Sequence, residues 1–289
     1  MRDLNYDFKQ ICRHNRDGSF ATQADRGNVL DLVADQLHEM GFRGLRAQGF
    51  KPKHVESLVQ RWLGDELAPG TIKNRMSALR WLAEKIGKEN IVERTNAAYG
   101  IADRIYVTNI DKAKDLDEKQ LEQIRCPYTR MSLRLEDAFG LRREASIKIV
   151  PSRADQGDRL VLQPSWNKGG REIIVPIRTA EQRQLLDEAK ALANARSLVA
   201  PGYKTYAAHL KHFRCECELV GINGVHGHRH RYAQRRYHEL TGWECPARGG
   251  PTSKQLSKSQ RQRDRDVRMQ ISQELGHGRA QVTSVYLGR

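Results

Sequence analysis

The chain has 289 residues, of which 38% are hydrophobic and 29% are charged, and its formal net charge is +15. This length suits two domains or one large one, and the even spread of apolar residues excludes a disordered tail. No apolar run approaches the roughly 20 residues of a membrane span, and the N-terminus lacks the apolar core of a signal peptide. The sequence therefore predicts a soluble globular protein without a membrane partner, and its charge favours nucleic acid as a partner.

The N-terminal third has the periodicity of a small helical bundle. Apolar residues recur at helical spacing in three segments, at residues 25–42, 54–67 and 67–87. The third segment has Pro69 in its first turn and Gly87 at its end, and both residue types are common at those places. The basic residues outside its apolar face are candidates for contact with DNA: Lys73, Arg75 and Arg80.

A polar, irregular segment at residues 88–114 separates this bundle from the rest of the chain. We predict a helical DNA-binding domain with its linker at residues 1–110 and a second domain at residues 111–289. In the second domain, Asp117 is a candidate N-cap of a helix. A polar, basic run at residues 241–266 is predicted to form an inserted loop or helix, which either contacts DNA or a neighbouring subunit or is a solvated insertion.

Residues 159–177 change from helical to strand periodicity. Two short runs of β-branched and apolar residues flank the pair Gly169-Gly170, which predicts a β-hairpin. Helical patterns return from residue 179 onward. The predicted fold class is therefore mainly α with a small β-hairpin or sheet.

The stretch HGHRHRYAQRRYHEL at residues 226–240 combines four histidines with four arginines. Zinc sites draw on cysteines, histidines and carboxylates at defined spacings, and nothing nearby completes such a set. The adjacent positive charges also oppose a cation. We therefore predict no metal here, and the stretch either contacts a polyanion or takes part in chemistry.

Several motifs follow one another in a recognisable order. Arg142 follows Gly140-Leu141 at the end of an apolar helix, and Lys168 lies in the predicted hairpin turn. His226 and Arg229 form H-x-x-R, and an L-G-H motif ending at His277 precedes Tyr286 by nine positions. This order resembles the tyrosine recombinase (phage integrase) family. The resemblance covers about residue 115 to the end, and the preceding helices, with APGTIKNRMSALR, resemble the SAM-like core-binding domain of that family.

The resemblance implies a set of catalytic roles. Tyr286 would be the nucleophile that forms a 3′-phosphotyrosyl bond. Arg142 and Arg229 would hold the phosphate oxygens with planar forks, and His277 would donate a hydrogen bond to the phosphate. Lys168 would protonate the leaving 5′ oxygen, and His226 would move a proton to or from the tyrosine. This chemistry requires no metal and no cofactor.

Each assignment has a plainer alternative that the sequence leaves open. Arg143 is adjacent to Arg142 and is a candidate for the same role, whereas Lys168 is also consistent with a solvated turn and Tyr286 with a packed aromatic. The other histidines of the stretch are interpreted as packing or surface groups, with His230 the best candidate to support the site. The remaining arginines are predicted to contact the DNA backbone or solvent: Arg231, Arg235 and Arg236.

Three features depart from the family pattern. The family commonly has an acidic residue three positions after its first arginine, where this chain has Ala145. Arg229 and His277 are 48 positions apart, which is longer than usual because of residues 241–266. Only three residues follow Tyr286, where many members have a longer tail that docks on a neighbouring subunit.

The predicted function is that of a site-specific DNA recombinase or integrase of a mobile genetic element. Its expected partners are double-stranded DNA, three further copies in a tetramer on a DNA synapse, and an accessory DNA-bending or directionality protein. The five cysteines are odd in number and show no CxxC spacing, so they predict reduced thiols in a cytoplasmic protein associated with the nucleoid. Two alternatives remain: a DNA-binding regulator of recombinase fold that does not cut, and an enzyme that relaxes DNA as a topoisomerase does.

Overall fold

The computed structural model describes residues 2–289. The chain separates into two compact units, Met1–Ile105 and Tyr106–Arg289. The helices of the described part of the first unit are α1 (Asp3–His14), α2 (Phe20–Glu39), α3 (Pro52–Gly64) and α4 (Pro69–Lys85).

The first unit is held by an apolar core that these helices share. Phe8, Phe50 and Trp62 are fully buried in it, and burial of each such side chain contributes about 1.5–3 kcal/mol. The indole Nε1 of Trp62 donates to Oε1 of Gln36 at 2.8 Å, so its one polar group is satisfied inside the core. The predicted helical bundle is confirmed, including Pro69 as the first residue of α4.

The second unit combines helices with one hairpin. Its helices are α5 (Glu118–Gln123), α6 (Pro127–Phe139), α7 (Arg143–Lys148), α8 (Pro151–Ala154), α9 (Ala180–Ala193), α10 (Tyr206–Leu219), α11 (His226–Thr241), α12 (Lys258–Glu274) and α13 (Ala280–Leu287). Its strands are β1 (Arg159–Leu162) and β2 (Ile173–Pro176). The side chain of Asp117 accepts a hydrogen bond from the backbone N–H of Lys119, which confirms the predicted cap of α5.

Strands β1 and β2 pair antiparallel, with Leu160 opposite Val175 and Leu162 opposite Ile173. These four side chains face the core of the unit and are buried, as the period of two in a strand requires. Gly169 and Gly170 both have positive φ in the connection. The structure thus confirms both the hairpin and the predicted fold class.

Helix α11 crosses the second unit and packs against α6, α12 and α13. It is rich in polar residues, yet Tyr232 and Tyr237 are fully buried. Their hydroxyls donate to the carboxylates of Glu274, at 2.8 Å, and Asp264, at 2.6 Å. These partners satisfy the two buried hydroxyls, which helps a polar helix to occupy this position.

The run at residues 241–266 leads from the end of α11, through a 3-10 turn at Pro246–Arg248, into the first turns of α12. Among the described residues, no helix is both long and apolar enough to cross a membrane.

Candidate active site

Five of the six predicted catalytic residues come together in the second unit. Arg142 is the N-cap of α7, and His226 and Arg229 lie in the first turns of α11. His277 lies between α12 and α13, and Tyr286 is in the last turn of α13.

Arg229 connects three elements of this cluster. The residue is only 3% exposed. Its Nη1 and Nη2 groups donate to the backbone carbonyls of Gly140 and Leu275, and its Nε–H donates to the Tyr286 hydroxyl at 3.2 Å. A planar guanidinium with several fixed donors suits three partners in different directions, which a lysine cannot match.

The hydroxyl of Tyr286 is the meeting point of the cluster. It lies 3.3 Å from Nε2 of His277, and the tyrosine as a whole is 5% exposed. The rings of His230 and His226 pack against the tyrosine ring, with centroids 4.8 Å and 5.9 Å away. These rings fix the position of the phenol while leaving its oxygen among proton donors and acceptors.

His277 receives hydrogen bonds from both arginines. Nη2 of Arg142 lies 3.2 Å from its Nε2, and Nη2 of Arg229 lies 3.4 Å from the same atom. A ring nitrogen that accepts from arginines carries no proton, so the proton of the neutral ring belongs on Nδ1. Burial, followed by the charges of the two arginines, lowers the pKa of His277 to about 4, which keeps the ring neutral.

The positive charges of the cluster oppose one another. Desolvation and the neighbouring Arg229 lower the pKa of Arg142 to about 10, which still leaves it charged at neutral pH. Desolvation and the nearby arginines also lower the pKa of His226. Within residues 2–289, neither Arg142 nor Arg229 forms an ion pair with a carboxylate. Two such charges without a counter-ion form a site that favours an anion.

Two glycines shape the backbone beside the cluster, one of them preceding Arg142 and the other preceding His277. Gly140 ends α6 with a φ of +63°, and a Cβ there would lie 2.6 Å from Cδ1 of Tyr232. Gly276, directly before His277, has a φ of +66°, and its Cβ would lie 2.2 Å from Cδ1 of Ile173. Both the left-handed conformation and the lack of space require glycine here.

Lys168 is the predicted catalytic residue that the structure does not join to the others. It is exposed in the turn between β1 and β2, and among the described residues none of the other five contacts it. The buried Asn167 beside it donates to the carbonyls of Leu162, Gln163 and Arg171, and so organises the turn.

Arg143 makes no hydrogen bond to the other described residues of the cluster, although its charge contributes to the lowered pKa of His226. Its guanidinium stands 6.0 Å from the ring of Phe213 on α10, whereas Arg142 contacts His277.

The predicted DNA-contacting residues of the first unit all contact other groups of that unit, although Nη1 of Arg75 is buried without a hydrogen-bond partner among the described residues. Lys73 pairs with Asp103 at 2.8 Å, and Arg80 donates to Asn96 at 2.9 Å. The guanidinium of Arg75 lies 5.2 Å from the ring of Trp62.

Arg231 and Arg235 of α11 are also engaged. Arg231 pairs with Asp115 at 2.6 Å and with Asp137 at 3.2 Å, and Arg235 pairs with Asp137 at 3.5 Å. Contact with a phosphate would require these five residues to exchange or share their present partners.

Sequence reasoning missed two groups beside the site. Gln234 donates to the backbone carbonyl of Tyr286 at 3.3 Å and to Asp111 at 2.8 Å, which ties α11 to α13. Glu136 is fully buried on α6 and accepts from the hydroxyl of Ser146 at 3.0 Å. The helical spacing of Gln234 from His230 places both on one face and was a usable signal, whereas nothing in the sequence pattern marked Glu136.

Comparison with known proteins finds a family model that matches the N-terminal part of the chain and solved structures of similar fold. Residues 1–92 match the family model described as the N-terminal domain of phage integrases. No curated protein matches the sequence.

Among solved structures, the XerH site-specific recombinase bound to difH DNA is 15% identical, with a TM-score of 0.59 over 99% of this chain and 81% of that chain. The lambda integrase tetramer bound to a Holliday junction is 14% identical, with a TM-score of 0.59 over 99% and 78%. The Tn1549 transposon integrase with circular intermediate DNA is 13% identical, with a TM-score of 0.54 over 100% and 96%. The chain therefore has the tyrosine recombinase fold, and the resemblance seen in the sequence is confirmed.

Proposed function

We propose that this protein is a site-specific DNA recombinase that cuts and rejoins DNA through a 3′-phosphotyrosyl bond at Tyr286. The observation that supports this best is the placement of one tyrosine hydroxyl within hydrogen-bond distance of both Arg229 and His277, beside Arg142. The arginines beside this phenol have no carboxylate counter-ion among the described residues. A phosphodiester supplies the negative charge that balances them, so the phenol is suited to attack its phosphorus.

The reaction begins when the oxygen of Tyr286 attacks phosphorus. A P–O bond to tyrosine forms, the P–O bond to the 5′ oxygen breaks, and no water or cofactor is consumed. The tyrosine proton passes to His226, because its lowered pKa keeps the ring neutral and a neutral ring has a nitrogen free to accept a proton. Arg142 and Arg229 stabilise the extra charge on the non-bridging oxygens, and a His277 side chain turned toward the phosphate donates through its protonated nitrogen.

Lys168 is proposed as the acid that protonates the leaving 5′ oxygen. Its turn carries two glycines with positive φ and exposes the lysine to solvent. We propose that DNA binding brings this turn to the cleaved bond. Rejoining then follows by the reverse steps with a new 5′ hydroxyl.

The substrate is proposed to be double-stranded DNA, held by four protomers at a synapse, as part of the transfer of a mobile element. The lambda integrase relative was solved as a tetramer on a Holliday junction, which supports this assembly. Lys73, Arg75, Arg80, Arg231 and Arg235 are proposed to contact the DNA backbone. An accessory protein that bends DNA or sets the direction, and a location in the cytoplasm at the nucleoid, belong to the same proposal.

Covalent capture tests the proposal. A pool of random duplexes, nicked so that cleavage releases a short fragment, is incubated with the wild-type protein, with Tyr286→Phe and with a matched control, Tyr128→Phe. Tyr128 lies in the same unit, and its hydroxyl donates to the carbonyl of Leu192, away from the cluster. We expect denaturation-resistant DNA on the wild type and on Tyr128→Phe only, with equal noncovalent binding by all three.

A protein that binds DNA equally in all three forms and never retains it after denaturation would contradict the proposal and indicate the non-cutting regulator. Covalent DNA on Tyr286→Phe would contradict the assignment of the nucleophile.

A further inference from the structure

A second cluster of reactive side chains lies in the second unit, outside the candidate active site. Cys126 is the residue before α6, and His212 and Glu216 are one turn apart on α10. One potential ligand atom from each of these three side chains lies within 4.8 Å of the other two. Such a group of a thiol, an imidazole and a carboxylate has the composition of a transition-metal site.

Glu216 is already held in place by the backbone. Its two carboxylate oxygens accept from the N–H of Cys126, at 3.1 Å and 3.2 Å, at the N-terminus of α6. The residue is 7% exposed, so these contacts hold its carboxyl group in a fixed position. An ionised carboxylate has about four lone-pair positions, so these bonds leave acceptor capacity for a cation.

His212 faces this carboxylate. Its Nε2 lies 3.5 Å from Oε2 of Glu216, and its ring packs on Tyr203 with centroids 5.2 Å apart. His209, one turn earlier, stacks on the same tyrosine with centroids 5.4 Å apart, and its Nδ1 accepts from the backbone N–H of Ala200. The aromatic packing therefore orients His212 toward the cluster, while its side chain remains 34% exposed and reachable from solvent.

We propose that Cys126, His212 and Glu216 bind one zinc ion, or another divalent ion of similar preference, with solvent at a fourth position. At ordinary zinc–ligand bond lengths the ligand atoms of a tetrahedral site lie about 3–4 Å apart, so small side-chain rotations complete the site. The thiol of Cys126 loses its proton to solvent when the metal–sulfur bond forms. Zinc binding therefore weakens as the pH falls.

The metal would join two elements that are distant in sequence. It would clamp the start of α6 to α10, and α6 ends at Gly140, whose carbonyl accepts from Arg229. This inference does not rest on the proposed recombinase activity, since its readouts are metal content and thermal stability.

Metal content is the first test. The purified full chain, stripped with a chelator, is titrated with Zn²⁺ against a chromophoric chelator. We expect one zinc to bind to the wild type, and Cys126→Ser and His212→Gln to lose at least tenfold in affinity.

Two controls separate this cluster from other thiols and imidazoles. Cys215→Ser changes the exposed thiol next to Glu216, and His226→Gln changes the histidine-rich stretch of α11. Both are expected to bind zinc as the wild type does. Co²⁺ in place of Zn²⁺ is expected to give a sulfur-to-cobalt charge-transfer band that only Cys126→Ser removes.

Thermal unfolding gives an independent readout. Zinc at about a hundredfold excess over the wild-type Kd should raise the Tm of the wild type by about 5–10 °C and that of Cys126→Ser by no more than about half as much. Equal zinc affinity in the wild type and both ligand variants, or a cobalt band that survives Cys126→Ser, would overturn the proposal.

Discussion

At the scale of single residues, the candidate site depends on which of two adjacent arginines contributes. Arg142 and Arg143 are indistinguishable by sequence, but only Arg142 contacts His277, while Arg143 lies against Phe213. The two side chains make different contacts because the backbone changes conformation between them. Arg142 is the N-cap of α7, with an extended backbone, and Arg143 is the first helical residue.

We expect Arg142→Ala to slow formation of the covalent complex at least about 100-fold, because loss of one preorganised donor typically costs that much. Arg143→Ala should slow it less than about tenfold. The measurement is the single-turnover rate on a nicked duplex at saturating protein. A larger loss with Arg143→Ala than with Arg142→Ala would assign the role to Arg143.

A buried carboxylate predicts a pH dependence of stability. Burial raises the pKa of Glu136 to about 8 from an ordinary value of 4.5, so the folded state retains a proton that the unfolded state releases. The free energy of unfolding therefore falls as the pH rises from about 5 to about 8, by on the order of 4 kcal/mol from this group.

Glu136→Gln removes this titration and keeps an acceptor for Ser146. We expect the variant to gain stability over the wild type as the pH rises, measured by urea unfolding at about pH 5 and pH 8. The control is Glu144→Gln, which changes a carboxylate beside Lys148 and should keep the wild-type slope. Parallel pH profiles of wild type and Glu136→Gln would contradict the account.

At the scale of elements, the site is assembled by the ends of helices. The end of α6, the start of α11 and the loop between α12 and α13 each contribute backbone or side chain to the contacts of Arg229. Gly140 permits the first of these because it combines positive φ with a close approach to Tyr232.

Gly140→Ala should therefore destabilise the second unit by about 2–4 kcal/mol. This cost combines the strain of alanine at a positive φ with the close contact between the new Cβ and Tyr232. Gly242→Ala is the matched control, because its φ is +87° and nothing lies within 4 Å of its Cβ position. That control should cost about 1 kcal/mol. The urea midpoints of unfolding measure the stability of both variants. Equal losses of stability would show that the contact with Tyr232 does not add to the cost.

The sequence was informative for elements and for motif order. Pro69, Asp117 and the Gly169-Gly170 turn marked boundaries that the structure confirms, because caps and turns depend on local backbone chemistry. The cluster of Cys126 with His212 and Glu216 was invisible, since contact between residues so far apart in sequence depends on how α6 and α10 pack. The position of Lys168 relative to Tyr286 could not be predicted from sequence periodicity either, because tertiary contacts set the direction of a turn.

At the scale of the whole molecule, the charge of +15 predicts strongly salt-dependent binding to DNA. Part of this charge lies on exposed residues of α12, including Arg261 and Arg265. The salt dependence of DNA binding can test whether residues 241–266 contact DNA.

If this segment contacts DNA, Arg261→Ala with Arg265→Ala should reduce the slope of log Kobs against log salt by up to about 2, because each lost phosphate contact removes about 0.9. Gln262→Ala changes an exposed, uncharged residue on the same turn and should leave the slope unaltered. Fluorescence anisotropy at several salt concentrations measures all three proteins. An unchanged slope in the double variant would indicate that these two arginines do not contact DNA, and that the segment is solvated or contacts a neighbouring protomer.

The central claim is that Tyr286 joins covalently to DNA, and the most direct measurement is to locate the attached nucleotide. The covalent complex is digested with nuclease and trypsin, and the nucleotide-bearing peptide is sequenced by mass spectrometry. Cleavage after Arg279 gives AQVTSVYLGR, in which Tyr286 is the single tyrosine. We predict a 3′-phosphate-linked nucleotide on Tyr286 of this peptide, and attachment at Thr283, at Ser284 or anywhere outside it would contradict the account.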